Sequence, residues 1–127
     1  MIKKTITYKD FNEVERTQEF RFHLSKAEIL ELDMRTPGGL AKKIKTMTEK
    51  VDGDQIMTFF KELLLASYGE LSPDGQRFVK DQALSLAFTQ TGAYDVLFIE
   101  LVTDPEKASA FFNQIIPQIP QTEETKK

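Results

Sequence analysis

Residues 2–24 read IKKTITYKDFNEVERTQEFRFHL, and their pattern indicates that this chain of 127 residues is not an all-helical protein. Apolar and polar residues alternate in two runs, 2–8 and 17–24, so each run places its apolar side chains on one face. Those faces are Ile2, Ile6 and Tyr8 in the first run, and Phe20, Phe22 and Leu24 in the second. Asp10 and Asn12, between the runs, favour a turn. The pattern predicts a β-hairpin, whose apolar face needs helices or a second chain to cover it, because an isolated hairpin is marginally stable.

From residue 26 onward the pattern is helical. Ser25 and Glu28 form a capping box ahead of a first helix, and Pro37 with the two glycines that follow ends it. A second helix presents Leu40, Ile44, Met47 and Val51 on one face and ends at Asp52-Gly53. The strongest repeat follows, with apolar residues at helical spacing at Ile56, Phe59, Phe60, Leu63 and Leu64. Near the end of the chain, Asp104-Pro105 has the composition of an N-cap followed by proline at the first helical position.

These signals predict an α+β fold, a mainly α-helical single domain with an N-terminal β-hairpin. We place the domain at residues 1–116, with the hairpin at 2–24 and the helices at 26–116. Residues 117–127 end in QTEETKK, which has no apolar residue, and are predicted to be a disordered polar tail.

The most irregular internal stretch is YGELSPDGQRF, residues 68–78. It lacks the Gly-Lys-Ser/Thr of a phosphate loop and the alternating oxygen ligands of a calcium loop. Residues 72–75, Ser-Pro-Asp-Gly, have the composition of a β-turn. Gly69 stands where a left-handed glycine would end the preceding helix. We interpret the stretch as a loop between helices, with Phe78 anchoring the returning chain to the core.

Composition excludes several classes of function. The chain carries 17 basic and 20 acidic side chains, for a net charge of −3, which argues against nucleic-acid binding. No apolar run approaches the roughly 20 residues of a membrane span, and the N-terminus does not have the pattern of a secretory signal. Cysteine is absent, which is compatible with a reducing compartment.

The titratable residues do not form a pattern typical of catalysis, a cofactor site or a metal site. His23, the single histidine, is expected on the solvent face of its strand, where it lacks the further ligands of a zinc site. The acidic pairs Glu15/Glu19 and Glu123/Glu124 are interpreted as solvated charges. The basic face of the second helix, Lys42, Lys43, Lys45 and Lys50, is interpreted in the same way. We therefore predict no catalytic residue, no cofactor and no metal.

Two adjacent phenylalanine pairs, Phe59-Phe60 and Phe111-Phe112, leave two interpretations open. Neighbouring rings on a helix point about 100° apart. Both can lie in the core, or one of each pair can belong to an interface, since exposed apolar patches usually mark a partner. The core is expected to include Phe59, Leu63, Leu97, Phe98 and Phe112.

Three stretches, 3–32, 59–80 and 86–104, resemble a family of small phage and prophage proteins, the tail assembly chaperones of siphophages from low-GC Gram-positive bacteria. The resemblance spans residues 2–116, and its most distinctive part runs from Tyr68 through residues 72–75 to Phe78. Members of the family often have Asn-Gly in the first hairpin turn. This chain has Asn12-Glu13 there, which predicts a longer loop.

The resemblance implies a non-enzymatic role in the host cytoplasm. Such chaperones bind the tape-measure protein and keep it soluble while the tail tube assembles around it; the major tail protein is a second candidate partner, and a homo-oligomer is left open. We expect the partner-binding surface to comprise Phe60 and Phe111, as the outward members of their pairs, with Leu64 and Tyr68. Two alternatives are a structural tail or head–tail connector component of the virion and a small regulatory protein-binding module.

Overall fold

The computed structural model describes residues 1–49 and 54–116, apart from the side chains of residues 48 and 54–56. The predictions for Val51, for the end of the second helix at Asp52-Gly53, for the side chain of Ile56 and for the tail at 117–127 lie outside the described residues. The elements are β1 (Ile2–Lys9), β2 (Glu15–Phe22), α1 (Lys26–Arg35), α2 (Leu40–Glu49), α3 (Asp54–Ser67), β3 (Tyr68–Leu71), β4 (Phe78–Val79), α4 (Gln82–Thr89), α5 (Gly92–Thr103) and α6 (Pro105–Ile115). The predicted α+β class, mainly helical with an N-terminal hairpin, is confirmed.

The predicted hairpin is confirmed and forms the first half of an antiparallel sheet with the strand order β1-β2-β3-β4. β1 and β2 pair over eight residues each, from Ile2 opposite Phe22 to Lys9 opposite Glu15. Ile6, Tyr8 and Phe22 are buried on the inner face, which helices of the same chain cover, while the opposite face of the hairpin is largely exposed. Alternation along each strand therefore produces two layers, with the helices packed on one side of the sheet.

A five-residue loop, residues 10–14, joins the two strands, as the Asn12-Glu13 sequence predicted. The carboxylate of Asp10 organises this loop by accepting hydrogen bonds from the N–H groups of Asn12, at 2.8 Å, and Val14, at 3.0 Å. Arg16 donates from its side chain to the same carboxylate, and this bond, more than any other contact, lowers the pKa of Asp10. Phe11, at the tip, is 85% exposed.

The prediction for residues 68–78 was wrong in three respects: the stretch is not a plain loop, Gly69 is not a left-handed glycine, and Phe78 is only half-buried and does not belong to the hydrophobic core. The stretch forms a second hairpin that continues the sheet, with Leu71 opposite Phe78 and Phe22 of β2 opposite Tyr68. The predicted turn is present, because the N–H of Gly75 donates to the carbonyl of Ser72 at 2.8 Å. Gly69 does not adopt a left-handed conformation; it is a strand residue, and a Cβ there would lie 2.7 Å from the Phe78 ring. Glycine is needed for close packing rather than for helix termination.

The helix starts that we predicted at Ser25 and Asp104 agree with the caps in the structure. In α1, Ser25 and Glu28 make both hydrogen bonds of the capping box. Asp104 caps α6, with Pro105 at its first position. These interactions join residues no more than three apart, so short sequence patterns are enough to predict them.

An aromatic cluster fills the space between the sheet and the helices. Phe22 packs edge-on against Phe111, with ring centroids 5.2 Å apart, and Tyr68 stacks on Phe88 at 4.3 Å. Of the predicted core, Leu63, Leu97 and Phe112 are buried. Phe59 and Phe98 are only partly buried and pack against the core from its margin.

Candidate partner-binding surface

The structure does not place the four predicted partner-binding residues on a surface. Phe60 and Leu64 are fully buried, and Tyr68 and Phe111 are nearly so. The expectation that Phe60 and Phe111 point outward is therefore wrong. Whether these residues take part in binding is untested, but in this conformation a partner would reach them only by opening the core.

Contacts with other elements explain why these rings are inside. Phe60 lies edge-on to Phe112, at 5.3 Å, and to Phe98, at 5.7 Å. Tyr68 is buried enough that loss of hydration, followed by the nearby charge of Glu70, raises the pKa of its hydroxyl to about 12. The four residues form part of the support that holds α3 against the sheet and α6.

The outward side of α3 carries the best candidate for a binding surface. A groove of about 620 Å³ runs between α3 and α4. Its apolar lining is Leu65 and Ala66 on α3 and Leu86 on α4, and Leu86 is 59% exposed. The Ser85 hydroxyl donates to the carbonyl of Leu65 at 3.3 Å and thereby joins the two walls.

Charged side chains form the rim of this groove, which we call the α3–α4 groove. Lys61 and Lys80 are balanced by Glu62 and Asp81. Lys80 is held in place because its ammonium group donates to both carboxylate oxygens of Glu28, at 2.8 and 2.9 Å. An apolar floor with a mixed-charge rim is the kind of surface that accepts an amphipathic helix.

The same helix forms a smaller cleft on its other flank. This cleft, of about 270 Å³, lies between α1, α2 and α3, and Glu62 and Ala66 line it as well as the larger groove. The ammonium of Lys43 sits 4.9 Å from the centre of the Phe59 ring and covers part of it. The exposed side of α3, which carries Glu62 and Ala66, thus has an apolar depression on each flank.

Sequence reasoning missed Leu65, Ala66 and Leu86. The helical repeat that predicted α3 does not distinguish which of its apolar residues are buried. That depends on where α4 and α6 pack. Leu86 belongs to a helix so short and so apolar that its pattern does not distinguish an outer face.

His23 is not the freely solvated residue that was expected. Its ring is half-buried and lies edge-on to Phe78 at 5.9 Å, and its Nδ1 atom is buried without a hydrogen-bond partner among the described residues. Burial, and then nearby positive charge, lowers the pKa of His23 and so favours the neutral ring. Packing against Phe78 therefore explains the position of His23 in structural terms.

Within residues 1–49 and 54–116, His, Asp and Glu side chains do not gather into a group that could hold a metal ion. In the same part of the chain, no helix combines the length and the hydropathy needed to cross a membrane.

Comparison with known protein families decides the general role. A family model described as "phage tail assembly chaperone" matches residues 1–126. The chain belongs to this family. No curated protein and no solved structure matches it. The resemblance read from residues 2–116 is therefore confirmed at the level of the family, while the kind of bacterial host is untested.

For this tail assembly chaperone, the family role requires surfaces that bind other proteins. That role is not a catalytic one. The apolar depressions beside α3 are suited to such binding, whereas the four residues first predicted are buried.

Proposed function

We propose that this tail assembly chaperone binds a helical segment of the tape-measure protein in the α3–α4 groove and keeps it soluble until the tail tube encloses it. The single observation that carries the proposal is the exposed apolar floor of this groove, in which Leu86 stands 59% exposed between charged rims. An isolated amphipathic helix exposes an apolar stripe, and covering that stripe removes the surface through which such helices aggregate.

The size and charge of the groove support a helix as its occupant. An open trough between two helices can receive the apolar residues of one helical face at i, i+3, i+4 and i+7. The rim offers Lys61 to acidic residues of the partner, and Glu62 and Asp81 to basic ones, while Lys80 is already paired with Glu28. A helix with both charge signs flanking its apolar stripe would fit.

Substitution of the floor tests the proposal. The chaperone and its tape-measure protein would be co-expressed, with and without Leu86→Asp and Ala66→Asp together. Both residues are exposed, so the fold should tolerate the changes, but two carboxylates in the floor would lose their hydration on helix binding. The soluble fraction of the tape-measure protein is expected to fall to the level without chaperone.

Ile99→Asp is the matched control, because Ile99 is an apolar residue of similar exposure, 55%, on α5 outside the groove. This variant is expected to rescue the tape-measure protein as the wild type does. If the floor variant also rescues it while both variants remain folded, the groove is not the site. If even the wild type gives no rescue, the tape-measure protein is not the client.

The remaining assignments belong to the same proposal. We infer that the protein acts in the host cytoplasm, has no catalytic activity and has the major tail protein as a second partner. Mass spectrometry of purified virions distinguishes this role from that of a structural tail or connector component, because a chaperone would be absent from the particle. A regulatory module would bind without changing the solubility of its partner.

A further inference from the structure

The tip of the first hairpin presents two apolar side chains to solvent. Phe11 is 85% exposed, more than any other large apolar residue that the structure describes, and Val14 beside it is 50% exposed. Burying an aromatic side chain against a partner removes about 150–250 Å² from water. An exposed ring at the apex of a protruding loop is therefore a candidate anchor for another protein.

Hydrogen bonds to Asp10 order this loop. Its N–H donates to the carbonyl of Val14 at 2.9 Å, and its carbonyl accepts from the N–H of Glu13 at 3.0 Å. Its carboxylate accepts from the N–H groups of Asn12 and Val14. Glu13 has a left-handed conformation, with a φ of 63°. A side chain on a loop that is already ordered needs less ordering when it binds, so Phe11 is well suited to be an anchor.

The α1–α2–α3 cleft, the smaller cleft described above, has the size and the lining to receive one aromatic ring. Its volume is about 270 Å³, and an apolar cavity of about 150 Å³ is already large enough to bind benzene. A helix with its side chains is about 10–12 Å across, so the cleft fits an inserted side chain better than a whole helix. Its apolar lining consists of Leu32, Pro37, Phe59 and Leu63.

The charges of the tip and of the cleft are complementary. Glu13 is the one charged residue among residues 11–14. Its carboxylate lies 4.0 Å from the ammonium of Lys9, and both side chains are largely exposed, so this pair contributes little. The rim of the cleft carries Arg35 and Lys43 against Glu62, an excess of one positive charge. Arg35 forms no ion pair among the described residues and can therefore accept a carboxylate from outside.

The tip is remote from the cleft of its own chain. The cleft includes Ala66, and the next residue, Ser67, accepts a hydrogen bond from the N–H of His23, which follows β2. This part of the cleft therefore lies at the end of β2 that is opposite the loop. The eight residues of β2 span about 26 Å. A tip that occupies a cleft thus comes from another molecule.

We propose that Phe11 of one molecule inserts into the α1–α2–α3 cleft of a second copy of this chain, with Glu13 facing Arg35 of that copy. Each molecule offers a tip at one end of its hairpin and a cleft at the other. The contact is therefore heterologous and continues head to tail, into a ring or a filament. It does not depend on the α3–α4 groove, which lies on the other flank of α3.

Sedimentation velocity of the full chain, from micromolar to millimolar concentration, tests the contact. The wild type is expected to associate reversibly, with larger species as the concentration rises. Phe11→Asp should raise the dissociation constant by at least about tenfold, because the anchor is lost and a carboxylate meets an apolar cleft. Ile99→Asp, the same kind of change at another exposed apolar site, should associate as the wild type does.

Two charge reversals test the pairing of Glu13 with Arg35. Glu13→Arg and Arg35→Glu should each weaken association about fivefold, the effect of losing an exposed ion pair. Together in one chain they restore opposite charges and should recover most of the wild-type affinity. Both residues are exposed, so the fold should tolerate these changes, and circular dichroism checks that it does.

A mixture of two variants tests whether the contact is heterologous. Phe11→Asp keeps an intact cleft, whereas Arg35→Glu with Lys43→Glu keeps an intact tip. Each should associate weakly alone, while the mixture should form a one-to-one complex that grows no further, because one productive contact remains. Amide signals of isotope-labelled Phe11→Asp should then shift around the cleft and not around Leu86.

Four results would overturn the proposal. The wild type could stay monomeric at millimolar concentration. Phe11→Asp could associate as tightly as the wild type, which would assign the exposed ring to a different partner. The chain with both charge reversals could associate more weakly than either single variant. Finally, Leu86→Asp could abolish association, which would place the contact in the α3–α4 groove. Leu86→Asp is expected to associate normally, so failure of this contact and failure of the groove are distinguishable.

Discussion

At the scale of residues, Phe59 and Phe60 show how little separates a core position from a rim position. They are adjacent on α3, yet Phe60 is fully buried between Phe98 and Phe112, while Phe59 lies at the margin under Lys43. If Phe60 and Phe111 were on the surface, Phe60→Asp and Phe111→Asp would be natural tests of partner binding. Because both rings are buried, these substitutions are unsuitable for that purpose. They would place charges in the core and report on unfolding rather than on binding.

The burial of Phe60 leads to a stability prediction. Phe60→Ala is expected to lower the free energy of unfolding by about 3–5 kcal/mol, because the lost ring leaves a cavity among other aromatic side chains. Phe11→Ala is the control, since Phe11 is 85% exposed and its removal should change stability by less than about 0.5 kcal/mol. Denaturant unfolding monitored by circular dichroism measures both. Equal losses for the two variants would contradict the assignment of Phe60 to the core.

Glu28 leads to a prediction about acid stability. Burial alone would raise its pKa, but the hydrogen bonds from Lys80 and from Ser25 outweigh that effect, and the pKa lies below its ordinary value of 4.5. A carboxylate with a lowered folded-state pKa adds stability above its unfolded-state pKa. That stability is lost as the pH falls through the folded-state value.

Glu28→Gln should therefore reduce stability at pH 7 and have progressively less effect as the pH falls below 4.5. Glutamine can still accept the hydrogen bond from the backbone of Ser25, so the capping box is kept while the charge is lost. Melting temperatures of both proteins across this pH range provide the measurement. A difference that is the same at pH 7 and pH 3 would exclude the proposed role of the charge.

At the scale of elements, the docking of α5 on β1 depends on a glycine. The first residue of α5 is Gly92, and a Cβ there would lie 2.7 Å from the carbonyl oxygen of Lys9 and 3.2 Å from the Tyr8 ring. The same helix carries Glu100, which pairs with Lys4 further along β1. α5 therefore lies close against the inner face of the hairpin along much of its length.

Gly92→Ala tests that contact because its expected effect on stability is opposite in sign to the usual effect of replacing glycine by alanine in a helix. In a free helix, replacing glycine by alanine stabilises by about 0.5–1 kcal/mol. Here the added methyl group meets backbone that cannot move without shifting β1, so a loss of about 1–3 kcal/mol is expected. Thermal unfolding checks the sign, and amide signals of β1 should shift most. A raised melting temperature would mean that α5 stands further from β1.

At the scale of the whole molecule, the two layers give the protein two different kinds of surface. The helical layer presents the α3–α4 groove, with Leu86 on its floor, and the sheet presents the open edge of β2 around Thr17. The aromatic core joins the layers through Phe22, which contacts Tyr68, Phe88 and Phe111. A chaperone of this size can therefore keep a rigid centre while each layer leaves part of its surface uncovered.

The sequence alone was sufficient for features whose cause is local. Alternation in residues 2–24 specified the hairpin, because successive side chains of a strand point to opposite faces. Ser25 with Glu28, and Asp104 with Pro105, specified helix starts, because a cap joins residues within one turn. Residues 72–75 specified their turn for the same reason. The family could also be read from the sequence, since a family is itself a pattern of residues.

Which residues form the surface depends on how the elements pack against one another. Tyr68 became a strand residue because the end of β2, far away in sequence, lies beside it, and Phe78 then pairs with Leu71 of the same β3 strand. Phe60 lies inside and Leu86 outside because of where α6 and α4 pack, and a helical repeat in one segment holds no information about its neighbours. The open edge of β2 likewise exists because β3 turns away after pairing with two residues. Binding surfaces consist of what packing leaves uncovered, so they become visible only when every element is in place.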